Sequence, residues 1–312
     1  MSPQRFIIVK WRLILMLVAS IGIISCKKSS NSPQQPAELL KNFIPIPGNS
    51  SFIMGSPMGE AGRSSDEIQH EVALSSFYIS KYELSRGAFK PFLQSKDMNY
   101  LASDQRKIEN YTIDGWNETD AHPIVNVSWN TAVRYCNWAT KEILKSNDTA
   151  YIFNPDGSFY SWNISSKGIR LPTETEWECA CRANTTTPFA TGDNIIIAAQ
   201  ANYNGHYPYN QPYNPNGKYM QKTVPVDTTT YFRNAFDLEH MHGNVWEWCY
   251  DWYDAYPTTK QTNPTGSATG LTRVIRGGSW NDNAVSLRSA LRGYGSPGNR
   301  NYGIGFRLAR TM

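Results

Sequence analysis

The side chains of this 312-residue chain that could carry redox or metal chemistry are few. The thiols come first, because a thiolate is both a nucleophile and a metal ligand. After Cys26 they stand at Cys136, Cys179, Cys181 and Cys249, and no cysteine follows. Cys179 and Cys181 lie two residues apart on a helical pattern, so their side chains point in different directions and do not easily pair with each other. The spacing lacks the paired CxxC knuckles of a zinc site, and it leaves open whether the four form disulfides or remain buried free thiols.

Two further pairs could do chemistry. His240 and His242 are two residues apart and would share one face of a strand, which could supply two metal ligands. The alternative is that they are ordinary surface or core histidines. Glu174 and Glu178 could act as paired catalytic carboxylates, but their surroundings predict a helix start and favour a structural role.

Short capped helices and strands must position these groups. Ser128 precedes an amphipathic helical pattern and is predicted to be its N-cap. Thr173 and Glu176 have the spacing of a capping box. Alternating apolar residues predict strands at 70–74 and 77–83.

Several strings along the chain resemble, in order, those of the formylglycine-generating enzyme family, also called the sulfatase-modifying-factor family. They are FIMG at 52–55, PIVNVSW at 123–129, RLPTETEWE at 170–178, GNVWEW at 243–248, and the closing strings RGGSW at 276–280 and GFRLAR at 305–310. The resemblance covers residues 43–312. It implies an α+β, irregular, loop-rich fold related to C-type lectins, with 305–308 as the closing strand.

The resemblance also bears on copper. Oxidases of this family carry two closely spaced cysteines just after the GGS turn and bind copper there, and soft thiolates suit Cu(I). This chain has no cysteine in that region. We therefore expect no copper and no formylglycine-generating activity.

Calcium is a further cofactor that the resemblance implies. By match, the carbonyls of Gly243 and Val245 and the carboxylate of Glu247 would form one site, and Asn202 and Tyr203 would belong to a second. The first is incomplete, because a histidine stands where the family commonly has Asn or Asp. Calcium prefers six or more oxygen ligands.

Residues 280–303, between the closing strings, are dense in Asn, Ser, Gly, Asp and Tyr, a composition typical of binding surfaces. The pattern is similar to the variable ends of lectin-fold proteins that retroelements diversify. The expected ligand contacts are Asn281, Asp282, Asn283, Ser286, Ser289, Tyr294, Asn299, Asn301 and Tyr302. The alternative is a polar loop without a ligand. The arginines of this region belong to the family pattern, and we expect structural carboxylate pairs for Arg276, Arg288, Arg292 and Arg307.

The N-terminus resembles a bacterial lipoprotein signal. A basic start and an apolar stretch end at Ser25-Cys26, which predicts a signal peptide at 1–25 and acylation of Cys26, with palmitate among the expected chains. Polar residues 26–42 read as a flexible tether, and 43–312 as the domain. Lys27 favours the outer membrane. Removal of three basic residues leaves 27 against 26 acidic residues, too little positive charge for nucleic acid.

The resulting hypothesis is an exported, lipid-anchored protein whose domain is non-catalytic and displays a ligand-binding surface for a protein or a glycan. One alternative is a formylglycine-type oxidase or another redox enzyme of the family. A second is a structural subunit of a cell-envelope complex.

Overall fold

The computed structural model describes residues 39–98, 119–194 and 196–312. The predicted signal peptide, Cys26 and most of the predicted tether lie outside the described residues. Within those ranges, three α-helices and thirteen short strands are joined by long irregular connections, which confirms the predicted α+β, loop-rich class.

Each helix begins at a side-chain cap. The helices are α1 (Arg86–Leu93), α2 (Trp129–Glu142) and α3 (Glu174–Arg182). The hydroxyls of Ser85 and Ser128 accept from backbone nitrogens three residues later, each at 3.2 Å. Thr173 and Glu176 form both halves of the predicted capping box. These bonds satisfy donors that a helix start otherwise leaves without partners.

The strands form three sheets and one hairpin. They are β1 (Phe43–Ile46), β2 (Asn49–Met54), β3 (His70–Leu74), β4 (Phe77–Ser80), β5 (Tyr151–Phe153), β6 (Phe159–Trp162), β7 (Ile169–Arg170), β8 (Trp246–Trp252), β9 (Gln261–Thr262), β10 (Arg273–Arg276), β11 (Gly293–Gly295), β12 (Ile304–Gly305) and β13 (Ala309–Thr311). Two sheets have four strands, in the orders β1-β4-β13-β7 and β11-β10-β8-β12. The third has the order β2-β3-β9, and β5 pairs with β6.

Two predicted boundaries were wrong. The expected closing strand at 305–308 is divided, since β12 ends at Gly305 and pairs with β8, whereas β13 starts at Ala309 and pairs with β4 and β7. Phe306 to Leu308 cross from one sheet to the other. The strand predicted at 77–83 is shorter, since β4 ends at Ser80. Leu39, just before the predicted start of the domain, is buried in the core.

Two large apolar clusters stabilise the fold. One gathers α1, α2 and the β8–β12 region around Trp129, Tyr135 and Phe306. The other lies between α3 and the strands β1 to β4, and includes Trp177 and Cys249. Burial of this aromatic surface provides the main driving force for folding. Among the described helices, none is both long and apolar enough to cross a bilayer.

Candidate ligand-binding cleft

A layer of buried ion pairs lies within the domain. It is defined here as the arginine layer, in which each arginine contacts at least one buried carboxylate. The pairs are Arg276 with Glu178, Arg288 with Glu60 and Glu67, Arg292 with Glu174, and Arg307 with Glu247. The structural role predicted for the four arginines is thereby confirmed. Such pairs are charge-assisted and geometrically specific, and they hold irregular backbone that regular secondary structure does not.

The two glutamates considered for catalysis belong to this layer. Glu174 accepts from Nε and Nη2 of Arg292 at 2.7 and 2.9 Å. Its pKa is lowered: burial opposes the charged form, but Arg292 and Arg276 outweigh that effect. Glu178 accepts from Gly55 N and from Arg182 and Arg276. Both side chains have structural partners, as expected.

Glu247, the carboxylate expected to bind calcium, also belongs to the arginine layer. Its Oε2 accepts from Arg307 Nε at 2.6 Å and from Trp177 Nε1 at 2.7 Å, while its Oε1 accepts from Arg307 Nη2 at 2.8 Å. A guanidinium thus occupies both oxygens, so the turn formed by Gly243 and Val245 has no carboxylate left for a cation. The calcium role expected for Glu247 would require it to share these oxygens with Arg307, and it stays a prediction.

The second expected calcium site is equally short of ligands. Asn202 is buried and donates from Nδ2 to Asn244 Oδ1 and to the Lys222 carbonyl, while its Oδ1 has no partner among described residues. The hydroxyl of buried Tyr203 donates to the Ile196 carbonyl. Within the described ranges, no group of three or more His, Cys, Asp or Glu side chains could hold a metal ion.

The thiols and histidines are buried and not arranged as a metal centre. All four described cysteines are buried free thiols, and burial raises the pKa of Cys181 to about 12. His242 donates from Nδ1 to the Leu287 carbonyl at 2.7 Å and accepts at Nε2 from Ala190 N at 3.0 Å. Burial lowers its pKa to about 4. His240 has a positive φ of 56°, so the two histidines lie in a turn before β8 and the expected shared strand face was wrong.

Six of the nine predicted ligand contacts line a single half-open cleft of about 460 Å³, here called the C-terminal cleft. They are Asn281, Asp282, Tyr294, Asn299, Asn301 and Tyr302. Each strand of the sheet β11-β10-β8-β12 contributes a residue to the walls, namely Tyr294, Ile275, Trp246 and Ile304. The sheet therefore holds together contacts that lie far apart along the chain.

Asp282 fixes the turn at the base of the cleft. Its Oδ2 accepts from Trp246 Nε1 at 2.9 Å, from Ser279 N at 3.0 Å and from the Ser279 hydroxyl. No described residue donates to its Oδ1. By the resemblance, the two cysteines of the oxidases would lie near this turn. The side chains that stand here offer oxygen and amide atoms, which are hard metal ligands and do not suit Cu(I).

Three asparagines around the cleft present their amide nitrogens. Oδ1 of Asn301 accepts from Gly303 N at 2.8 Å, and Oδ1 of Asn299 accepts from Arg300 N at 2.9 Å. Oδ1 of Asn281 accepts from the Tyr219 hydroxyl. Because these oxygens have partners, and no described protein atom accepts from the three Nδ2 groups, the side chains offer donors to a ligand.

Aromatic side chains complete the cleft. Tyr294 and Tyr302 are 61% and 46% exposed, so their rings are accessible to a ligand. Tyr219 stacks on Trp280, with ring centroids 6.3 Å apart. The cleft thus combines apolar ring surfaces with amide donors, a pattern typical of ligand sites.

Three predicted contacts lie outside the cleft. Asn283 is the N-cap of a 3-10 turn at 284–287, where its Oδ1 accepts from Ser286 N at 3.2 Å. Ser289 is fully buried, with its hydroxyl 3.6 Å from Cys181 Sγ, so its expected role as a surface contact was wrong. Sequence reasoning missed Trp246, which the alternation along β8 could have indicated, since Trp246 and Glu247 must point to opposite sides of the sheet.

Comparisons with known proteins agree with this architecture. Residues 28–312 match the family described as Sulfatase-modifying factor enzyme 1-like domain. The chain is 26% identical over 320 residues to a formylglycine-generating enzyme of Mus musculus. The aligned region covers 89% of this chain and 77% of that enzyme. Treponema denticola variable protein 1 aligns with a TM-score of 0.66 and 25% identity, over 86% of this chain and 95% of that one. PvdO from Pseudomonas aeruginosa aligns with a TM-score of 0.63 and 26% identity, over 86% of this chain and 94% of that one.

Proposed function

Because the chain belongs to the family of sulfatase-modifying-factor-like domains, we propose that it is an exported, lipid-anchored protein that binds a ligand in the C-terminal cleft and performs no oxidation. The observation that carries the proposal is the convergence of three asparagine amides and two exposed tyrosines on one cleft.

The chemistry of the cleft favours a glycan. Sugar rings have apolar C–H faces that can pack on Tyr294 and Tyr302, and hydroxyl oxygens that can accept from the amides of Asn299 and Asn301. Rigid aromatic side chains lose little conformational entropy on binding.

The binding test is a glycan array probed with the purified full chain. We expect one group of related glycans to bind, and the double substitution Asn299→Ala/Asn301→Ala to weaken that binding at least about tenfold, roughly the loss of one or two net hydrogen bonds. Asn163→Ala is the matched control, because this exposed asparagine follows β6 and does not line the cleft. Absence of glycan binding, together with capture of a peptide library, would replace the glycan by a protein ligand.

An oxidase is the rival function, and the name of the mouse relative favours it. The thiols of the chain oppose an oxidase function. No cysteine follows Cys249, and burial raises the pKa of the Cys181 thiol to about 12. We expect purified protein incubated with Cu(I) to leave a sulfatase-type cysteine peptide unchanged by mass spectrometry. Formation of an aldehyde on the peptide would support the oxidase function instead.

Lipid anchoring is tested at Cys26. Each buried methylene of an acyl chain contributes about 0.8 kcal/mol of membrane affinity, so several chains anchor a protein firmly. We expect the wild-type chain in the membrane fraction, with an acylated N-terminal peptide in mass spectra. Cys26→Ser should leave the chain unacylated, whereas Cys136→Ser, at a buried thiol, should not affect acylation.

A further inference from the structure

A second cavity lies between α3, β8 and the β9 region, apart from the residues of the C-terminal cleft. It has a volume of about 330 Å³, within the usual range for small-molecule sites. Its floor includes the buried side chains of Met54, His70, Thr175 and Asp251, and exposed residues such as Asp254 and Pro257 surround its opening. It is called the Asp251 cavity below.

Asp251 is only 3% exposed and is half satisfied. Its Oδ2 accepts from the backbone nitrogen of Glu174, the first residue of α3, at 2.8 Å. Among the described residues nothing donates to Oδ1, which lies at the cavity wall beside Gly266; a Cβ there would come within 3.0 Å of it. Oδ1 is therefore available to a ligand in the cavity.

His70 provides a second open acceptor. It is 7% exposed, and its Nδ1 lies 3.1 Å from the Ile68 carbonyl. Because a carbonyl only accepts, Nδ1 carries a proton, and in the neutral imidazole the lone pair then lies on Nε2. No described group donates to Nε2, and the side chain lines the cavity.

Three other polar side chains of the cavity, Glu174, Arg292 and Tyr256, already have partners. Both oxygens of Glu174 accept from Arg292, whose Nη1 donates to the Asp254 carbonyl at 2.9 Å. The Tyr256 hydroxyl donates to Glu174 Oε1 at 2.9 Å. The open position on His70 is an acceptor, and so is the one on Asp251 once that carboxyl is ionised; the carboxylate of Asp254 and the hydroxyl of Ser267 also line the cavity.

We propose that the Asp251 cavity binds a small organic cation with a primary ammonium group, which donates to Oδ1 of Asp251 and Nε2 of His70. An ammonium carries three donors and a positive charge, so it satisfies both acceptors and compensates a buried carboxylate. A ligand with acceptors alone would leave both atoms without partners.

Coupling to protonation gives the proposal a signature. Burial, and then the charge of Glu174, raise the pKa of Asp251 to about 8, so the carboxyl must lose a proton before it can pair with a cation. An alkylammonium keeps its charge to about pH 10. The affinity should therefore rise about tenfold between pH 7 and pH 9. The ionisable groups around Asp251 are Glu174, Glu176, Arg292, His70, Asp254 and Tyr256, together with Cys249, Tyr250 and Arg273 on its own sheet.

The test compares n-propylammonium with propan-1-ol, an uncharged molecule of nearly the same shape, by ligand-observed NMR on the full chain in detergent. We expect the ammonium to bind at least about tenfold more tightly at pH 9, with the pH dependence given above. Asp251→Asn keeps the acceptor for Glu174 N and should abolish both the preference and the pH dependence. His70→Gln should weaken binding without changing that dependence.

The matched control is Asn281→Ala in the C-terminal cleft, which should leave ammonium binding unchanged. The wild-type pH series needs no variant, so the proposal remains testable even if Asp251→Asn fails to fold. Equal affinity for the ammonium and the alcohol, no binding of either at 50 mM, or an affinity independent of pH would overturn it.

Discussion

The arginine layer and the C-terminal cleft draw on the same stretch of chain, residues 273–310, yet they use nitrogen donors in opposite ways. Buried Arg307 donates hydrogen bonds to Glu247 and to backbone carbonyls. Asn299 and Asn301 instead bond through their oxygens and leave their amide donors to the cleft. One short segment thus stabilises the fold and presents a surface.

The difference indicates how this fold can support new ligands. Irregular backbone needs fixed internal partners, which the arginine layer supplies. The side chains of Asn299 and Asn301 can then change without disturbing those partners, because their own contacts are local: the Asn299 side chain bonds to the next residue, and that of Asn301 to Gly303. Substitutions in the two regions should therefore affect different measurements.

The largest expected effect is at Arg307. Arg307→Met leaves Glu247 buried with its charge unpaired, and we expect a loss of about 3–5 kcal/mol in the free energy of unfolding, measured by urea denaturation. Arg310→Met is the control, since that half-buried side chain makes a 3.4 Å contact with the Lys167 carbonyl and a cation–π contact with Tyr78 but no ion pair, and the change should cost less than about 0.5 kcal/mol. Adding Glu247→Met to Arg307→Met should recover much of the loss. If Arg307→Met behaved like its control, the layer would not support the fold.

Part of the arginine layer could be predicted from the sequence, because Arg276, Arg307 and the glutamates of 170–178 and 243–248 lie within strings of fixed spacing. The capping box at Thr173 and Glu176 depends on contacts only three residues apart, and it was predicted correctly. The role of the four arginines followed from the family pattern. Their partners did not, since Arg288 meets Glu67, more than two hundred residues away along the chain.

The cleft was harder to predict, because composition identifies a polar segment but not which side chains face out. Ser289 looked like its neighbours in sequence but is fully buried, because its backbone nitrogen donates to the Pro188 carbonyl and its hydroxyl meets Cys181. Asn283 was required as a cap. The prediction that His240 and His242 share a strand face was wrong for a similar reason. It assumed a regular strand, whereas a positive φ at His240 places the residue in a turn.

A smaller effect is expected from Glu83, the carboxylate beside the arginine layer that lacks a full partner. Its Oε1 accepts from Asn244 Nδ2 at 2.8 Å, and its Oε2 has no partner among the described residues. Burial raises its pKa to about 8; Arg307 opposes that shift and Glu247 adds to it. The folded state thus keeps a proton that the unfolded state releases above about pH 4, so this contribution to stability is lost as pH rises towards 8.

The measurement for Glu83 is urea unfolding at pH 5.5, 6.5 and 7.5. As pH rises, the free energy of unfolding of the wild type should fall by up to about 1.4 kcal/mol per pH unit more than that of Glu83→Gln, because the amide cannot ionise. Glu142→Gln, an exposed side chain at the end of α2, should leave the pH dependence unchanged. Parallel profiles for wild type and Glu83→Gln would mean that Glu83 is already ionised in the folded protein.

The smallest effect on stability, and the one that separates the two regions most directly, is expected in the cleft. Asn299→Ala removes an exposed amide whose only bond is to Arg300 N, so the free energy of unfolding should change by less than about 0.5 kcal/mol while ligand binding falls. Arg307→Met in a stabilised background should do the reverse, with binding kept wherever the protein remains folded. A stability loss above about 1 kcal/mol for Asn299→Ala would show that the cleft carries part of the fold, and that the division between stabilising arginines and ligand-facing asparagines does not hold.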